Sequence, residues 1–292
     1  MANSAPAEPP MLSPTVGRRW LAQELRRLRE AAGYKQADVA KRLRCNSTRI
    51  AHLESMRTLP SGPDLEVVLP YFGVPKERVE WYLQVCDLSR KKGWWDGNQA
   101  IPKWFSFYVG LEWGASEIHS WDTSLVQGLL QTRGYAEVII RDGATVPEEV
   151  IQEQVQTRLR RQEALQRKEN PLTLHAIMDE AALRRRVGNA EIMREQLQHL
   201  VTLNSHPRIT IQVMPFEAGQ HRGQLGSFKW LGFPQDGDDG LVYLENQHGG
   251  LYLEEPEELA TFAADFAELR KRALSPKASV ALIAKIVKEL SE

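Results

Sequence analysis

The chain has few cysteines and no long apolar run, which argues against a disulfide-rich protein and against a membrane-spanning one. Its 292 residues include only Cys45 and Cys86, which are too few for a disulfide framework and fit a reducing compartment. No segment approaches the roughly 20 consecutive apolar residues that a membrane-spanning helix needs. The first residues, MANSAPAEPPMLSP, lack the basic start and apolar core of a secretory signal. We therefore expect a cytoplasmic protein without membrane contact.

Metal-binding and nucleotide-binding motifs are also lacking. The seven histidines are scattered, and none falls in an HExxH motif or pairs with cysteine at zinc-site spacing. The polar loop at 219–223, GQHRG, lacks the GK[ST] ending of a phosphate-binding P-loop. The sequence therefore predicts no metal site and no cofactor.

Positive charge is concentrated in one part of an almost neutral chain. The whole chain has a formal net charge of −1, whereas residues 17–60 hold 11 Lys and Arg against 4 Asp and Glu, a net charge of +7. The rest of the chain must then carry −8. A basic module on an otherwise acidic chain is typical of proteins that bind a polyanion such as DNA.

Within the basic segment, YKQADVAKRLRCNSTRIAHLESM (34–56) has the pattern of two short helices joined by a tight turn. Two helices that cross steeply need a small residue at the contact, and Ala40 provides it. The side chains expected to face inward are Val39, Leu43, Ile50 and Leu53. Asn46 or Ser47 can cap the second helix, because a short side-chain oxygen accepts hydrogen bonds from its first free amides. The pattern predicts a helix-turn-helix.

The polar residues of the second helix are candidates to read base edges in the major groove. Such readers present donors and acceptors from the N-terminal part of one helix. The candidates here are Ser47, Thr48, Arg49 and His52. Gln36 opens the first helix, where its amide and the helix N-terminus can hold a phosphate, and Lys35 and Arg57 are further phosphate candidates. A plain helical hairpin with the same apolar spacing is the structural alternative.

Residues 18–90 resemble the lambda-repressor-like, or XRE-type, helix-turn-helix domain. The matching segments are LRRLREAAGYKQADVAKRL, STRIAHLE and PSGPDLEVVLPYFGV. The resemblance implies an all-α domain of five helices, with further helices over 64–72 and 76–90. One position departs from the family, which usually has glycine where this chain has Arg44. A left-handed conformation would cost Arg44 about 1 kcal/mol, so either the turn relaxes or the arginine is retained to reach a phosphate.

Composition divides the chain into three parts. Residues 1–16 are rich in alanine and proline and predict a disordered tail. Residues 17–91 hold the helix-turn-helix domain. A second domain is expected over 92–292, after the sequence KKGWWDG at its boundary.

The second part alternates between helix and strand patterns and predicts an α+β domain with a mostly antiparallel sheet. Strands are predicted at 172–178, 209–213, 227–233, 241–245 and 251–254, and helices at 149–168, 190–203, 257–273 and 276–290. The last strands are separated by the turn sequences PQDGDDG and NQHGG. We therefore expect them to form an antiparallel meander.

This second part also resembles a known domain, one carried by many actinobacterial XRE-type regulators that include the WhiJ-like developmental regulators. The similar blocks, in order, are LVQGLLQTRGYAEVI, RLRRQEAL, AIMDEAALRRRVGN, EQLQHLVTL, ITIQVMPFEAGQHRGQLGSFKWLGF and GGLYLEEPEELATF. Gln127 departs from the family, which more often has proline there. The resemblance implies a small partner protein encoded by an adjacent gene, in a toxin–antitoxin-like pairing.

Three groups of residues in the second part are candidates for a ligand or partner site. The stretch 94–113, which contains Trp94, Trp95 and Trp104, is too apolar for a free linker. It therefore packs one domain on the other or forms a partner surface. The pair Asp179 and Glu180, with Arg184 one turn on, suits acid–base or metal chemistry, or simply the acidic start of a capped helix. Gln220 and His221 lie on a polar loop that contacts a ligand or partner, or only connects two elements.

These observations favour a sequence-specific transcriptional regulator, a repressor or autoregulator, that binds an inverted-repeat operator in double-stranded DNA as a homodimer. Its second domain would sense a ligand or bind a small protein. The alternative is an antitoxin-like protein whose main role is to hold that small partner. A third possibility is an enzyme joined to a DNA-binding domain, for which Asp179 and Glu180 would be the first catalytic candidates. No catalytic motif supports this possibility, and we do not expect an enzyme.

Overall fold

The computed structural model describes residues 13–142, 145–235 and 237–290. The chain divides into two compact units, Met1–Gly97 and Asn98–Glu292. Among the described residues, no helix has the length and apolar character needed to cross a membrane. The predicted tail at 1–16 falls largely outside the described residues, except for its last four.

Over its described residues, 13–97, the first unit is all-α and has the five helices expected for it. They are α1 (Pro14–Ala31), α2 (Gln36–Arg42), α3 (Ser47–Glu54), α4 (Gly62–Tyr71) and α5 (Lys76–Arg90). The first helix begins within the segment predicted to be tail. Its start is specified locally, because the Ser13 Oγ accepts a hydrogen bond from the Val16 N–H at 3.2 Å and Pro14 suits the first helical turn.

The helix-turn-helix forms where the sequence pattern predicts it. Val39 and Ala40 are buried on α2, and Ile50 and Leu53 are buried on α3. Leu43, the remaining side chain that was predicted to face inward, is half-buried. Apolar side chains from α1, α4 and α5 complete the core of this unit, among them Leu21, Leu25, Leu65, Leu69 and Val85.

The turn between α2 and α3 keeps the left-handed conformation even though it lacks glycine. Arg44 has a φ of 54°, and its amide donates to the Lys41 carbonyl at 3.2 Å. A side chain in this region brings Cβ close to the following carbonyl oxygen, which costs about 1–2 kcal/mol. The turn therefore does not relax to avoid the arginine, and the strain is retained.

We expect Arg44→Gly to raise the free energy of unfolding by about 0.5–1 kcal/mol, because relief of the left-handed strain exceeds the extra backbone entropy of glycine in the unfolded chain. Chemical denaturation with urea measures the change. Gly33→Ala is the matched control, since Gly33 also has a positive φ, 76°, and a Cβ there would meet nothing within 4 Å. That variant should be destabilised by strain alone. Equal signs for the two changes would contradict the account.

The second unit combines seven α-helices and six strands over its described residues. The helices are α6 (Lys103–Gly114), α7 (Arg133–Asp142), α8 (Glu148–Arg161), α9 (Glu180–Arg184), α10 (Ala190–Leu203), α11 (Pro256–Arg272) and α12 (Pro276–Glu289). The strands are β1 (Glu117–Asp122), β2 (Thr173–Asp179), β3 (Ile209–Met214), β4 (Phe228–Gly232), β5 (Leu241–Asn246) and β6 (Gly249–Leu253). The predicted α+β class is confirmed.

All six strands form one mixed sheet in the order β3-β2-β1-β4-β5-β6. The pairs β1–β2 and β2–β3 are parallel, and the other three pairs are antiparallel. The predicted meander is confirmed as β4-β5-β6. Strand β1, which lies inside the sheet between β2 and β4, was not predicted from the sequence.

Helix α11 packs against one face of the sheet over an apolar core. The buried members of this core are Trp121, Ile177, Met214, Phe228, Val242, Leu259, Phe266 and Leu269. Three of them belong to α11, where they recur at positions 259, 266 and 269 in the spacing of one helix face. Helix α11 lines both of the cavities described below, and the sheet contributes to one of them.

A buried ion pair joins α6 to α8. The Arg161 guanidinium donates to both carboxylate oxygens of Glu112, at 2.6 and 2.8 Å, and both side chains are almost completely buried. The Tyr108 hydroxyl donates to the same carboxylate at 2.9 Å. Burial by itself lowers the pKa of Arg161, but Glu112 reverses this effect and the net shift is upward. Arg161 therefore stays charged in the interior.

Candidate nucleic-acid interface and cavities of the second unit

The start of α3 presents polar side chains to solvent. Ser47 and Thr48 are exposed, and His52, one turn further on, is half-buried. The helix begins at Ser47 because the Asn46 Oδ1 accepts a hydrogen bond from the Arg49 N–H at 2.9 Å. The predicted cap is thus Asn46 rather than Ser47, and the Ser47 hydroxyl is left available to a ligand.

Arg49 makes an ion pair within the first unit. Its Nη2 lies 2.6 Å from Oδ2 of Asp64, and the Ser61 N–H donates to the same oxygen at 2.8 Å. Asp64 is buried at the start of α4, whereas the Arg49 side chain is 42% exposed. The carboxylate therefore orients the guanidinium while leaving part of it accessible to a base edge.

Gln36 bonds to the last residue of α3. Its Nε2 donates to Glu54 Oε2 at 2.8 Å, and Arg29 of α1 donates to both oxygens of Glu54 at 2.6 and 2.9 Å. The side chains of Arg29 and Glu54 are only 9% and 7% exposed, and the hydrogen bond that Arg29 donates to Glu54 is the main cause of the raised pKa of Arg29. This network connects α1, α2 and α3 at the C-terminal end of α3.

The other two phosphate candidates are exposed. Lys35 immediately precedes α2, and its backbone N–H donates to Asp38 Oδ2 at 2.8 Å. Arg57 follows α3 by three residues. The Lys35 ammonium group and the Arg57 guanidinium group thus flank the helix-turn-helix, where they can reach a polyanion.

The carboxylate pair of the second unit occupies the end of β2 and the start of α9. Asp179 caps α9 by accepting a hydrogen bond from the Ala181 N–H at 2.8 Å. Glu180 is buried; it bonds to Arg184 at 2.6 Å and accepts from the Phe216 N–H at 2.9 Å. The Arg184 guanidinium also pairs with Glu289 of α12 at 2.8 Å. These contacts match the capped-helix interpretation of the pair.

Two of the loop candidates line a polar cavity of about 520 Å³. Its lining residues are Gln220, His221, Arg222, Ala264, Glu268 and Arg272. His221 Nε2 lies 3.8 Å from Asp179 Oδ2, and the His221 ring meets the edge of Trp121 at a centroid distance of 5.1 Å. The fold therefore brings Asp179 and His221 together, while Arg222 is held by Asp265 at 2.9 Å.

The candidate tryptophans are divided between the two units. Trp95 is buried in the first unit, where its Nε1 donates to Thr15 Oγ1 at 3.2 Å and its ring meets Trp94. Trp104 lies on α6 of the second unit and is 43% exposed. Of the two roles expected for this stretch, packing is therefore the one that applies to Trp95, which is buried and not available to a partner.

A second cavity, of about 550 Å³, lies between the sheet and α11 and was not predicted from the sequence. It is lined by His119, Trp230, Asp239, Pro256, Leu259, Ala260, Phe262, Ala263, Phe266, Ala267 and Arg270. His119 Nε2 is 2.7 Å from Glu117 Oε1, and this bond lowers the pKa of Glu117. The neighbouring His175 has a lowered pKa, mainly because it is buried.

In the ranges 13–142, 145–235 and 237–290, His, Cys, Asp and Glu nowhere gather in a group of three or more that could hold a metal ion. The two cavities are candidate small-molecule sites on the basis of their volumes and lining residues.

The fold of the first unit defines a helix-turn-helix protein, the class to which DNA-binding regulators belong. Residues 20–81 match the family model of the helix-turn-helix domain. Residues 105–285, more than half of the chain, match the model described as a domain of unknown function (DUF5753), and the chain belongs to that family. No curated protein and no solved structure matches the chain.

Proposed function

We propose that this chain is a cytoplasmic, sequence-specific transcriptional regulator of the XRE type that acts as a repressor or autoregulator. The observation that carries the proposal is the first turn of α3, which presents the exposed Ser47 and Thr48 and the partly exposed Arg49 from a helix-turn-helix. This turn lies in the segment with a net charge of +7. A reading helix and a basic surface are the two elements that specific DNA binding requires.

In this proposal, Ser47, Thr48, Arg49 and His52 contact bases, and Lys35, Gln36 and Arg57 contact phosphates. The Gln36 side chain reaches Glu54 in the structure, so its phosphate contact would use the amide hydrogen left over or the backbone at the start of α2. One chain has one reading helix. A homodimer on an inverted repeat would place two such helices about one helical turn of DNA apart.

The second unit, in the same proposal, senses a ligand or binds a small partner protein and does not act as an enzyme. Its two cavities support ligand binding, and the capping bond of Asp179 supports a structural role for the strongest catalytic candidate. The resemblance to WhiJ-like regulators favours a partner encoded by an adjacent gene. An antitoxin-like protein is the alternative, and a small protein that co-purifies in equal amounts from the native host would favour it.

The deciding experiment measures binding of the purified chain to the DNA upstream of its own gene and to random DNA of equal length, each at two salt concentrations. We expect the upstream DNA to bind at least 1,000-fold more tightly, on the order of what specific regulators achieve. The logarithm of the affinity should fall with the logarithm of the salt concentration by about 0.9 for each phosphate contacted. Equal affinities for the two DNAs at both salt concentrations would overturn the proposal.

A further inference from the structure

We infer that the cavity between the sheet and α11 is a binding site for a small planar aromatic carboxylate. The inference rests on the ligand-sensing half of the proposed function and names the chemical class of that ligand. It does not depend on DNA binding by the first unit, because every residue of the site lies in the second unit.

The size and shape of the cavity suit a small molecule. Its volume of about 550 Å³ falls in the usual range of ligand pockets, about 300–1,000 Å³. Three alanines of α11, Ala260, Ala263 and Ala267, line it at the i, i+3, i+7 spacing of one helix face. Larger side chains at these positions would fill the space against the sheet, so the run of small residues keeps the cavity open.

The wall of the cavity is aromatic. Trp230 comes from β4, and Phe262 and Phe266 come from α11. The His119 ring is parallel to Phe266, with an interplanar angle of 2° and centroids 4.7 Å apart, and it also stacks on Trp230 at 5.1 Å. Flat rings are preferred partners for such a wall, because stacked aromatic pairs are more stable than their buried area alone predicts.

Charge in the cavity favours an anion at one end. Arg270 lines the cavity, and within the described part of the chain it makes no ion pair with a carboxylate. Its positive charge contributes to the lowered pKa of His175, after the larger effect of burial. Glu117 is already bonded to His119. A ligand carboxylate is therefore the group that best matches Arg270.

The lining also contains one carboxylate, Asp239, on the exposed loop before β5. Asp239 repels an anion, so its replacement should have the opposite effect on anion binding from the replacement of Arg270.

A ligand bound here would touch both α11 and the sheet and would stabilise their packing, since a ligand that binds only the folded state raises its stability. The melting temperature is therefore a second readout beside affinity.

The test uses the full chain without DNA and the probe 2-naphthoate, with the uncharged 2-naphthamide for comparison. Isothermal titration calorimetry should show one naphthoate site per chain and binding of naphthamide at least tenfold weaker. Arg270→Ala should weaken naphthoate binding at least tenfold. Lys271→Ala is the matched control, because Lys271 is the exposed neighbour on α11 and does not line the cavity. Asp239→Asn should leave naphthoate affinity unchanged or tighten it.

A second variant tests the location of the site. Ala263→Trp fills the cavity from an exposed position and should abolish naphthoate binding and the rise in melting temperature that naphthoate causes. Ala281→Trp, at an exposed position of α12 outside both cavities, should do neither. If Ala263→Trp fails to fold, the smaller Ala267→Leu replaces it, with a loss of at least tenfold expected.

Several outcomes would overturn the inference: no naphthoate binding at millimolar concentration, equal binding of naphthamide, equal effects of the Arg270 and Lys271 changes, or undiminished binding by the filled variants. None of these would affect the comparison of upstream and random DNA. A failure of the ligand site is therefore distinguishable from a failure of the proposed regulator function.

Discussion

Replacement of Glu112 by glutamine is expected to lower the free energy of unfolding by about 3–5 kcal/mol, because it leaves the buried Arg161 charge without its partner. The guanidinium would lose two charge-assisted hydrogen bonds, at 2.6 and 2.8 Å. The rings of Phe105 and Tyr108 also lie against the guanidinium, with centroids 5.0 and 5.7 Å away, but an aromatic ring cannot replace a carboxylate in the interior. Urea denaturation followed by circular dichroism measures the loss.

The control for this change is an ion pair of similar geometry on the surface. Arg141 donates to both oxygens of Glu148 at 2.6 and 2.8 Å, but these side chains are 47% and 53% exposed. Solvent screens such a pair, so Glu148→Gln should shift the denaturation midpoint far less than Glu112→Gln does. Similar shifts for the two variants would contradict the claim that burial, and not geometry, makes the Glu112 pair important.

Arg49→Ala is expected to weaken binding to the specific DNA site by about 1–3 kcal/mol and to relax base preference at one position of that site. Arginine reads guanine through two hydrogen bonds in the major groove. In this structure, Asp64 already accepts from one nitrogen of the guanidinium, at 2.6 Å. The arginine is therefore positioned before DNA arrives, which reduces the side-chain entropy lost on binding.

Competition binding to a set of single-base variants of the specific site measures this effect. Arg57→Ala is the control, because a phosphate contact should be lost equally on every sequence and should reduce the salt dependence by about one phosphate. If Arg49→Ala weakens binding to specific and random DNA equally, Arg49 contacts a phosphate and not a base. Thermal melting of both variants checks that the loss of affinity is not a loss of folding.

The helix-turn-helix could be predicted from the sequence because its determinants are local. The small residue Ala40, the buried Ile50 and Leu53 and the cap Asn46 all lie within one stretch of 14 residues, and the structure places each of them as predicted. The partners of the polar residues were not predictable. Asp64, which holds Arg49, comes from a different helix, and sequence spacing does not say which carboxylate an exposed arginine meets.

In the second unit, the strands with clear alternation were predicted and β1 was missed. On the face covered by α11, this strand, EIHSWD, has Glu117 and His119 beside the apolar Trp121, so its periodicity is hidden. The parallel pairing of β1, β2 and β3 was equally hidden, because it depends on crossover helices between strands far apart in the sequence.

The cavity between the sheet and α11 was not predicted, because its lining also comes from elements that are far apart in the sequence. His119, Trp230 and Arg270 belong to β1, β4 and α11, and they come together only once the sheet has its order. The alanines that line the cavity look in the sequence like ordinary helix formers. Asp179 and His221, by contrast, were both predicted as site residues from separate sequence segments. The fold places His221 Nε2 3.8 Å from Asp179 Oδ2.

The network of Arg29, Gln36 and Glu54 has a consequence for genetics. Because it holds the C-terminal end of α3 against α1 and α2, a change at Arg29 or Glu54 would tilt α3 without removing any group that is proposed to contact DNA. If the chain represses transcription as proposed, a screen for loss of repression should recover these two positions alongside the surface of α3. Suppressors of such alleles should then map to the helix contacts and not to the operator.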